Sequence, residues 1–173
     1  MMINTALVSF GMSGKVFHAP FIASNPNFHL VGSWERSTKN IEAAYPGTKS
    51  YASYEELLAD PIIDLVVVNS PNDTHFTYAK SALLAGKHVV VEKAFTVTAK
   101  EAEELDALAN TKGLKLAVYQ NRRYDADFLT IQKLIQEDEI GVLQDVQISF
   151  ERYRTTLSPK KHKESVTPGA GLL

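Results

Sequence analysis

The fold of this chain is decided by Ala6-Leu7-Val8-Ser9-Phe10-Gly11-Met12-Ser13-Gly14-Lys15, where an apolar run breaks on two glycines and a helix begins near Gly14. The spacing is G-x-G-x-x-G with Ser9 in place of the first glycine. Such a turn serves backbone approach: a side chain at Gly11 would block a diphosphate, and Gly14 lets the helix pack closely on the strand. The helix N-terminus then offers N–H groups and a partial positive charge to an anion. A tight strand-to-helix turn with no ligand explains the same glycines. The position between a first strand and a first helix favours the nucleotide reading. Pro20, in His18-Ala19-Pro20, removes a donor and constrains Ala19, so the helix is expected to distort soon after it starts.

Working outward, short β-branched runs alternate with longer amphipathic segments. Ala6–Phe10, Leu30–Trp34, Leu65–Asn69 and His88–Val91 read as strands, and Leu116–Tyr119 reads as a sixth, although only five stretches are placed. Leu65–Asn69 is nearly all apolar, as a parallel strand buried on both faces should be. Between them lie a short helix at Ile41–Tyr45, ended by Pro46-Gly47, and another capped by Ser53 with acids in its first turn. Asn72 or Asp73 is expected to cap a helix running to Ala85 and stopping at Gly86. Thr98-Ala-Lys-Glu101 is a capping box for a long helix to Thr111, closed by Gly113. The series predicts a doubly wound parallel α/β sheet with right-handed crossovers over residues 1–120.

The pattern changes after residue 120. A helix is expected over Asp127–Glu137, with Phe128, Ile131, Leu134 and Ile135 on one face and Gly141 as its end. Val142–Tyr153 alternates like an antiparallel strand, and Thr155–Leu173 shows no periodicity. Residues 121–173 are read as the incomplete start of a second, α+β open-sheet domain. The unpaired edge of that sheet predicts association into homo-oligomers.

Of the 173 residues, 45% are hydrophobic and 22% charged, ordinary values for a globular chain. A net charge of -2 does not support general attraction to nucleic acid. The absence of cysteine excludes disulfides, thiolate metal ligands and a cysteine nucleophile, and no metal site is expected. No apolar run approaches the roughly 20 residues of a membrane-spanning helix. Met1–Phe10 has no basic leader, and a cytoplasmic location is expected.

In open α/β sheets, ligands sit beyond the C-terminal strand ends. Glu35 falls there, 21 residues after Gly14, at the end of the second strand. Its carboxylate suits the ribose hydroxyls of NAD, whereas the adjacent Arg36 and Ser37 suit the 2′-phosphate of NADP. The choice stays open, Glu35 tilting it toward NAD; a solvated Glu-Arg pair is the plainer explanation. Three further clusters share that edge: Ser70-Pro71-Asn72-Asp73-Thr74-His75, Glu92-Lys93 and Gln120-Asn121-Arg122-Arg123. Singly they read as a turn and cap, a surface lysine and a solvated pair.

Together with Lys15-Val-Phe-His-Ala-Pro20, Ala85-Gly-Lys-His-Val-Val-Val-Glu-Lys93 and Tyr119-Gln-Asn-Arg-Arg-Tyr-Asp125, these motifs make the chain resemble the Gfo/Idh/MocA oxidoreductases over nearly its whole length. It is most similar to their scyllo-inositol dehydrogenase branch. The resemblance implies an NAD(P)-dependent dehydrogenase moving a hydride between nicotinamide and a sugar or cyclic polyol. Glu92-Lys93-Ala94 stands where the family has Glu-Lys-Pro, so the resemblance gives Lys93 the catalytic role beside nicotinamide and substrate. Ser9–Gly14, including Phe10, Met12 and Ser13, would hold cofactor with Glu35, Arg36, Ser37, Ser70, Pro71, Asn72, His75, Glu92 and Lys93. Asn121 and Arg122 would face substrate, with Arg123 serving structure or cofactor. Family members are roughly twice this long and carry an Asp-x-x-x-His motif beyond a Gly-rich stretch. The chain stops at Gly169-Ala-Gly-Leu-Leu173, about where that helix should start, and is expected to be a truncated piece with little turnover alone. A non-catalytic dinucleotide-binding regulator and a hydrolase using NAD transiently are the competing expectations.

Overall fold

A computed structural model describes residues 2–35, 39–149, 151, 153, 155 and 156. The chain divides between Tyr119 and Gln120 into two compact units.

In the first unit, six strands form one sheet: β1 (Ile3–Leu7), β2 (Phe28–Trp34), β3 (Lys49–Tyr51), β4 (Leu65–Val68), β5 (His88–Val91) and β6 (Leu116–Val118). Their order is β3-β2-β1-β4-β5-β6, and every pair is parallel. The chain reverses direction across the sheet between β1 and β4, which makes their C-terminal ends the switch point where such folds place ligands. Five helices connect the strands: α1 (Ala19–Ser24), α2 (Ile41–Ala44), α3 (Tyr54–Ala59), α4 (His75–Leu84) and α5 (Ala99–Lys112).

The side-chain period of two sends alternate residues of each strand to opposite faces. Ala6, Val66, Val68, Val89 and Val91 are buried with Leu57, Ala79, Leu83 and Leu105 of α3, α4 and α5. Leu7, Leu30 and Val67 point the other way, to Ala19 of α1 and Ile41 of α2. Helices on both faces make the sheet doubly wound, as the near-continuous apolar runs predict.

Local signals set several boundaries. The Ser53 hydroxyl accepts from Glu56 N at 3.0 Å and starts α3. The capping box of α5 is complete: Thr98 Oγ1 accepts from Glu101 N, and Glu101 Oε2 accepts from Thr98 N. Gly113, at φ 65°, closes that helix.

Several features of this unit differ from expectation. β1 ends at Leu7, not Phe10, because the backbone of Ser9 bonds the Asn69 side chain instead of a neighbouring strand. β3, with only three residues, pairs with Gly32–Trp34 and carries no alternation to betray it. Gly32 permits this pairing, since a Cβ there would stand 2.0 Å from the Lys49 carbonyl oxygen. Asn72 and Asp73 do not cap α4 but lie in a 3₁₀ turn. The Thr74 N–H and hydroxyl both donate to the Pro71 carbonyl, at 2.9 and 2.6 Å, and α4 starts after them.

The helix after β1 runs over residues 12–24, with its middle, Gly14–His18, wound as a π-helix. Ala19 N donates to Gly14 O, five residues back. Pro20 follows directly and has no N–H to continue an α ladder, so the expected distortion takes the form of a widened turn.

In the second unit, a 3₁₀ turn (Asn121–Tyr124) leads into α6 (Ala126–Gln136). Phe128, Ile131 and Ile135 of its expected apolar face are exposed. α6 stops five residues before Gly141, and Asp138, at φ 57°, takes the left-handed conformation that follows. The described residues of Val142–Tyr153 form no strand, with Val146 and Ile148 exposed. Among the described residues they have no partner strand, and an alternating pattern without one has no ladder to join.

Candidate functional site

Because all six strands are parallel, the segments that follow them emerge at one edge. Ser9–Gly14 follows β1, Glu35 follows β2, Asn69–His75 follows β4, Glu92–Lys93 follows β5 and Tyr119 follows β6. Hydrogen bonds between distant residues tie these segments together.

The first tie joins β1 to β4. Asn69, which the sequence reading passed over, is buried; its Oδ1 accepts from Ser9 N at 2.9 Å and its Nδ2 donates to Ser9 O at 2.8 Å. The amide thus satisfies both main-chain groups of the residue opening the glycine turn. The Ser9 hydroxyl returns a bond to Asn69 O at 3.3 Å. The two glycines differ in what they face. A Cβ on Gly14 would stand 2.5 Å from Ser9 O and 3.1 Å from Asn69 Nδ2, so internal packing demands glycine there. A Cβ on Gly11 would meet only Ser9 Oγ, at 3.8 Å, an ordinary contact. Gly11 and Met12 are exposed, while Phe10 is buried edge-to-face on Tyr45 and presents only its backbone to the turn.

The second tie joins the glycine turn to the lysine turn. Ser13 Oγ donates to Glu92 Oε1 at 2.6 Å, and His18 Nε2 donates to the same oxygen at 2.9 Å. Lys93 N donates to Glu92 Oε2 at 3.2 Å. His18, 4% exposed, also lies against the Tyr119 ring, whose hydroxyl donates to Phe17 O at 2.8 Å. Burial pushes the Glu92 carboxyl up, but the hydrogen bonds from His18 and Ser13, the charge of His18 and the Lys93 N–H outweigh it. The carboxyl therefore sits below its ordinary value of 4.5. A lowered folded-state value means stability that is complete above the unfolded value and lost as pH falls through the folded one. The unfolding free-energy difference between wild type and Glu92→Gln is thus expected to shrink as pH drops below 4.5. Urea titrations across that range check this, and a constant difference would refute it.

The third tie joins β4's loop to the far side of the lysine turn. His75 is fully buried, with Nδ1 2.8 Å from Ala94 O and Nε2 2.9 Å from Ser70 O. Ser70 Oγ lies 2.7 Å from Thr74 Oγ1 and donates to it, the Thr74 proton being given to Pro71 O, and Pro71 and Asn72 are half-buried beside it. The Lys93–Ala94 peptide is cis, and the Lys93 side chain is exposed.

Glu35 Oε1 accepts from Asn40 N at 2.9 Å and Ile41 N at 3.1 Å, so its carboxylate starts α2. Arg36 and Ser37 lie outside the described residues. Asn121, Arg122 and Arg123 belong to the second unit, where Arg122 Nη1 bonds Asp125 Oδ2 at 2.6 Å. His18, Asn69 and Tyr119 join the edge without having been singled out as site residues. His18 and Tyr119 lie within the Lys15–Pro20 and Tyr119–Asp125 motifs that carry the family resemblance, whereas nothing marked Asn69.

A profile of the Gfo/Idh/MocA oxidoreductases, described as an oxidoreductase family with an NAD-binding Rossmann fold, matches residues 3–120. The chain belongs to the Gfo/Idh/MocA family. It is 42% identical over 98% of its length to the uncharacterized oxidoreductase YdgJ of Escherichia coli, covering 49% of that protein. It is 36% identical over 96% of its length to the NADP(+)-dependent scyllo-inositol 2-dehydrogenase IolW of Bacillus subtilis, covering 47%. The solved structure of an NAD-binding protein from Listeria innocua superposes with a TM-score of 0.76 at 36% identity, over 82% of this chain and 42% of that one. This Gfo/Idh/MocA chain thus spans about half the length of the curated relatives it matches. Among the described residues, no helix is long and apolar enough to cross a membrane.

Proposed function

We propose that this chain is the dinucleotide-holding half of an NAD(P)-dependent dehydrogenase acting on the CH–OH groups of a sugar or cyclic polyol. One observation carries the reading: Gly11 is a glycine that nothing among the described residues requires, exposed at the switch point between β1 and β4. Its freedom is explained by a ligand backbone that must come close. The residues present fit such a group. The Gly11–Gly14 turn opens a helical run whose first amides point along the axis toward an anion.

In this reading the main chain of Ser9–Gly14 holds the diphosphate, and Glu35, Arg36 and Ser37 meet the adenosine ribose. Ser70, Pro71, Asn72 and His75 form the wall toward nicotinamide, and Lys93, set in place by Glu92 behind it, the floor. The bound dinucleotide supplies the hydride acceptor or donor. Lys93 Nζ holds or moves a proton at the substrate oxygen, because a cation there stabilises a developing alkoxide. Dependence of the relative IolW on NADP(+) bears on the choice between cofactors, as does the commitment of Glu35 Oε1 to α2.

Calorimetric titration of the folded chain with NADH and with NADPH tests the reading. One site of micromolar affinity for at least one of them is expected, and no heat from either would end it.

A further inference from the structure

We propose that Glu92 and His18 act as one positioning unit that locks the phosphate turn to the lysine turn, with Glu92 working through His18 and Ser13 rather than by touching a ligand. The inference rests on the reading that Ser9–Gly14 holds a diphosphate.

The π winding of Gly14–His18 supplies the geometry. In an α-helix of 3.6 residues per turn, positions five apart are separated by about 140° around the axis and face different neighbours. In a π turn the i to i+5 hydrogen bond brings positions five apart one above the other. Ser13 and His18 are five apart, and both donate to Glu92 Oε1, at 2.6 and 2.9 Å. A regular helix would let one of them reach that oxygen and turn the other away. The extra residue in the turn therefore has a purpose beyond accommodating Pro20: it aims two donors at one carboxylate oxygen.

The carboxylate is used fully by the chain. Oε1 takes Ser13 and His18, and Oε2 takes the Lys93 N–H. Its side chain is 12% exposed and that of His18 4%. A buried carboxylate held by hydrogen bonds contributes little net stability against apolar replacements, so specificity of arrangement is the better account of it here. The arrangement it specifies is the spacing between Ser13, inside the phosphate turn, and Lys93, next to Glu92 in the chain. Tyr119 closes the unit from the other side, its ring tilted 48° to the His18 ring at 4.4 Å between centroids and its hydroxyl donating to Phe17 O. Loss of the pair should loosen two turns that lie about 80 residues apart in sequence.

A double-mutant cycle on the 173-residue chain tests this, comparing wild type, His18→Gln, Glu92→Gln and the double variant. Two readouts are taken: affinity for NADH and NADPH, and amide hydrogen exchange of residues 12–18 and 93–94. Each single variant is expected to bind the preferred dinucleotide about tenfold more weakly, and the double variant no more weakly than the worse single one. Exchange should quicken at both turns in each single variant. Multiplicative losses in the double variant would overturn the proposal, because Glu92 would then be acting on the dinucleotide independently of His18. Unchanged exchange at residues 12–18 in Glu92→Gln would overturn it as well. Should wild type bind neither dinucleotide, the proposed function fails while the exchange cycle still decides the locking unit. Ser13→Ala, a milder change, guards against variants that do not fold: its effect on exchange at residue 93 should disappear in the Glu92→Gln background, and persistence of that effect would count against the unit.

Discussion

Gly11→Ala is expected to fold like wild type and to bind its dinucleotide at least about tenfold more weakly, whereas Gly14→Ala should lose about 3 kcal/mol of stability. The contrast follows from what each new methyl meets. Among the described residues, a Cβ at Gly11 meets Ser9 Oγ alone within 4 Å, at 3.8 Å, and the backbone is not in the left-handed region, so alanine costs the folded chain little. Restricting the unfolded chain can even stabilise it by a few tenths of a kcal/mol. The methyl nevertheless occupies the exposed side of the turn, where the proposed diphosphate must approach. At Gly14 the methyl would stand 2.5 Å from a backbone oxygen fixed by Asn69, and neither group is a flexible side-chain end that can move aside. Urea unfolding and dinucleotide titration of the two variants give four numbers. If Gly11→Ala binds as tightly as wild type, the turn does not hold a diphosphate. If Gly14→Ala is as stable as wild type, the close packing of helix on strand is not what that glycine serves.

The sequence made the sheet legible where burial on both faces leaves a compositional trace. Val66-Val67-Val68 and Val89-Val90-Val91 alternate between two buried faces, so every position is apolar and the run stands out. Caps were legible because they are local: Ser53 to Glu56 and Thr98 to Glu101 are contacts three residues apart. β3 was not, since Lys49-Ser50-Tyr51 is a three-residue edge held by pairing with Gly32–Trp34 rather than by its own pattern. The strand expected at Val142–Tyr153 shows the converse error, for alternation alone cannot form a ladder. For the candidate site, the glycine spacing and the Ser70–His75 and Glu92-Lys93 clusters pointed to one sheet edge. What they did not reveal are the ties across it. Ser9 to Asn69 spans 60 residues, His18 to Glu92 74 and Tyr119 to Phe17 102, and no periodicity encodes a pairing of that range. His18 was read for its effect on the helix, whereas its imidazole is aimed at a carboxylate in the turn after β5.

Asn69→Asp should cost about 3 kcal/mol of stability and weaken dinucleotide binding with it, although the two side chains are nearly the same size. Ser9 N–H is a donor and Ser9 C=O an acceptor, so the group between them must accept at one end and donate at the other. The carboxamide does both, at 2.9 and 2.8 Å. An ionised carboxylate keeps the first bond but sets an anionic oxygen against the Ser9 carbonyl, losing one hydrogen bond and adding a repulsion at a buried site. Asn69→Ala removes both bonds and leaves the Ser9 groups to water, so it should also destabilise, by about 2 kcal/mol. If the buried charge matters, Asn69→Asp is the worse of the two at neutral pH, and its deficit narrows in acid as the carboxyl takes up a proton and can donate to Ser9 O. Denaturant curves at neutral and acidic pH read this directly. Equal stability of Asn69→Asp and wild type at neutral pH would mean that the turn is held by its glycines and helix alone. In that case Gly14 would meet Ser9 O through chain geometry rather than through the Asn69 clasp, and Gly14→Ala should be milder than 3 kcal/mol as well.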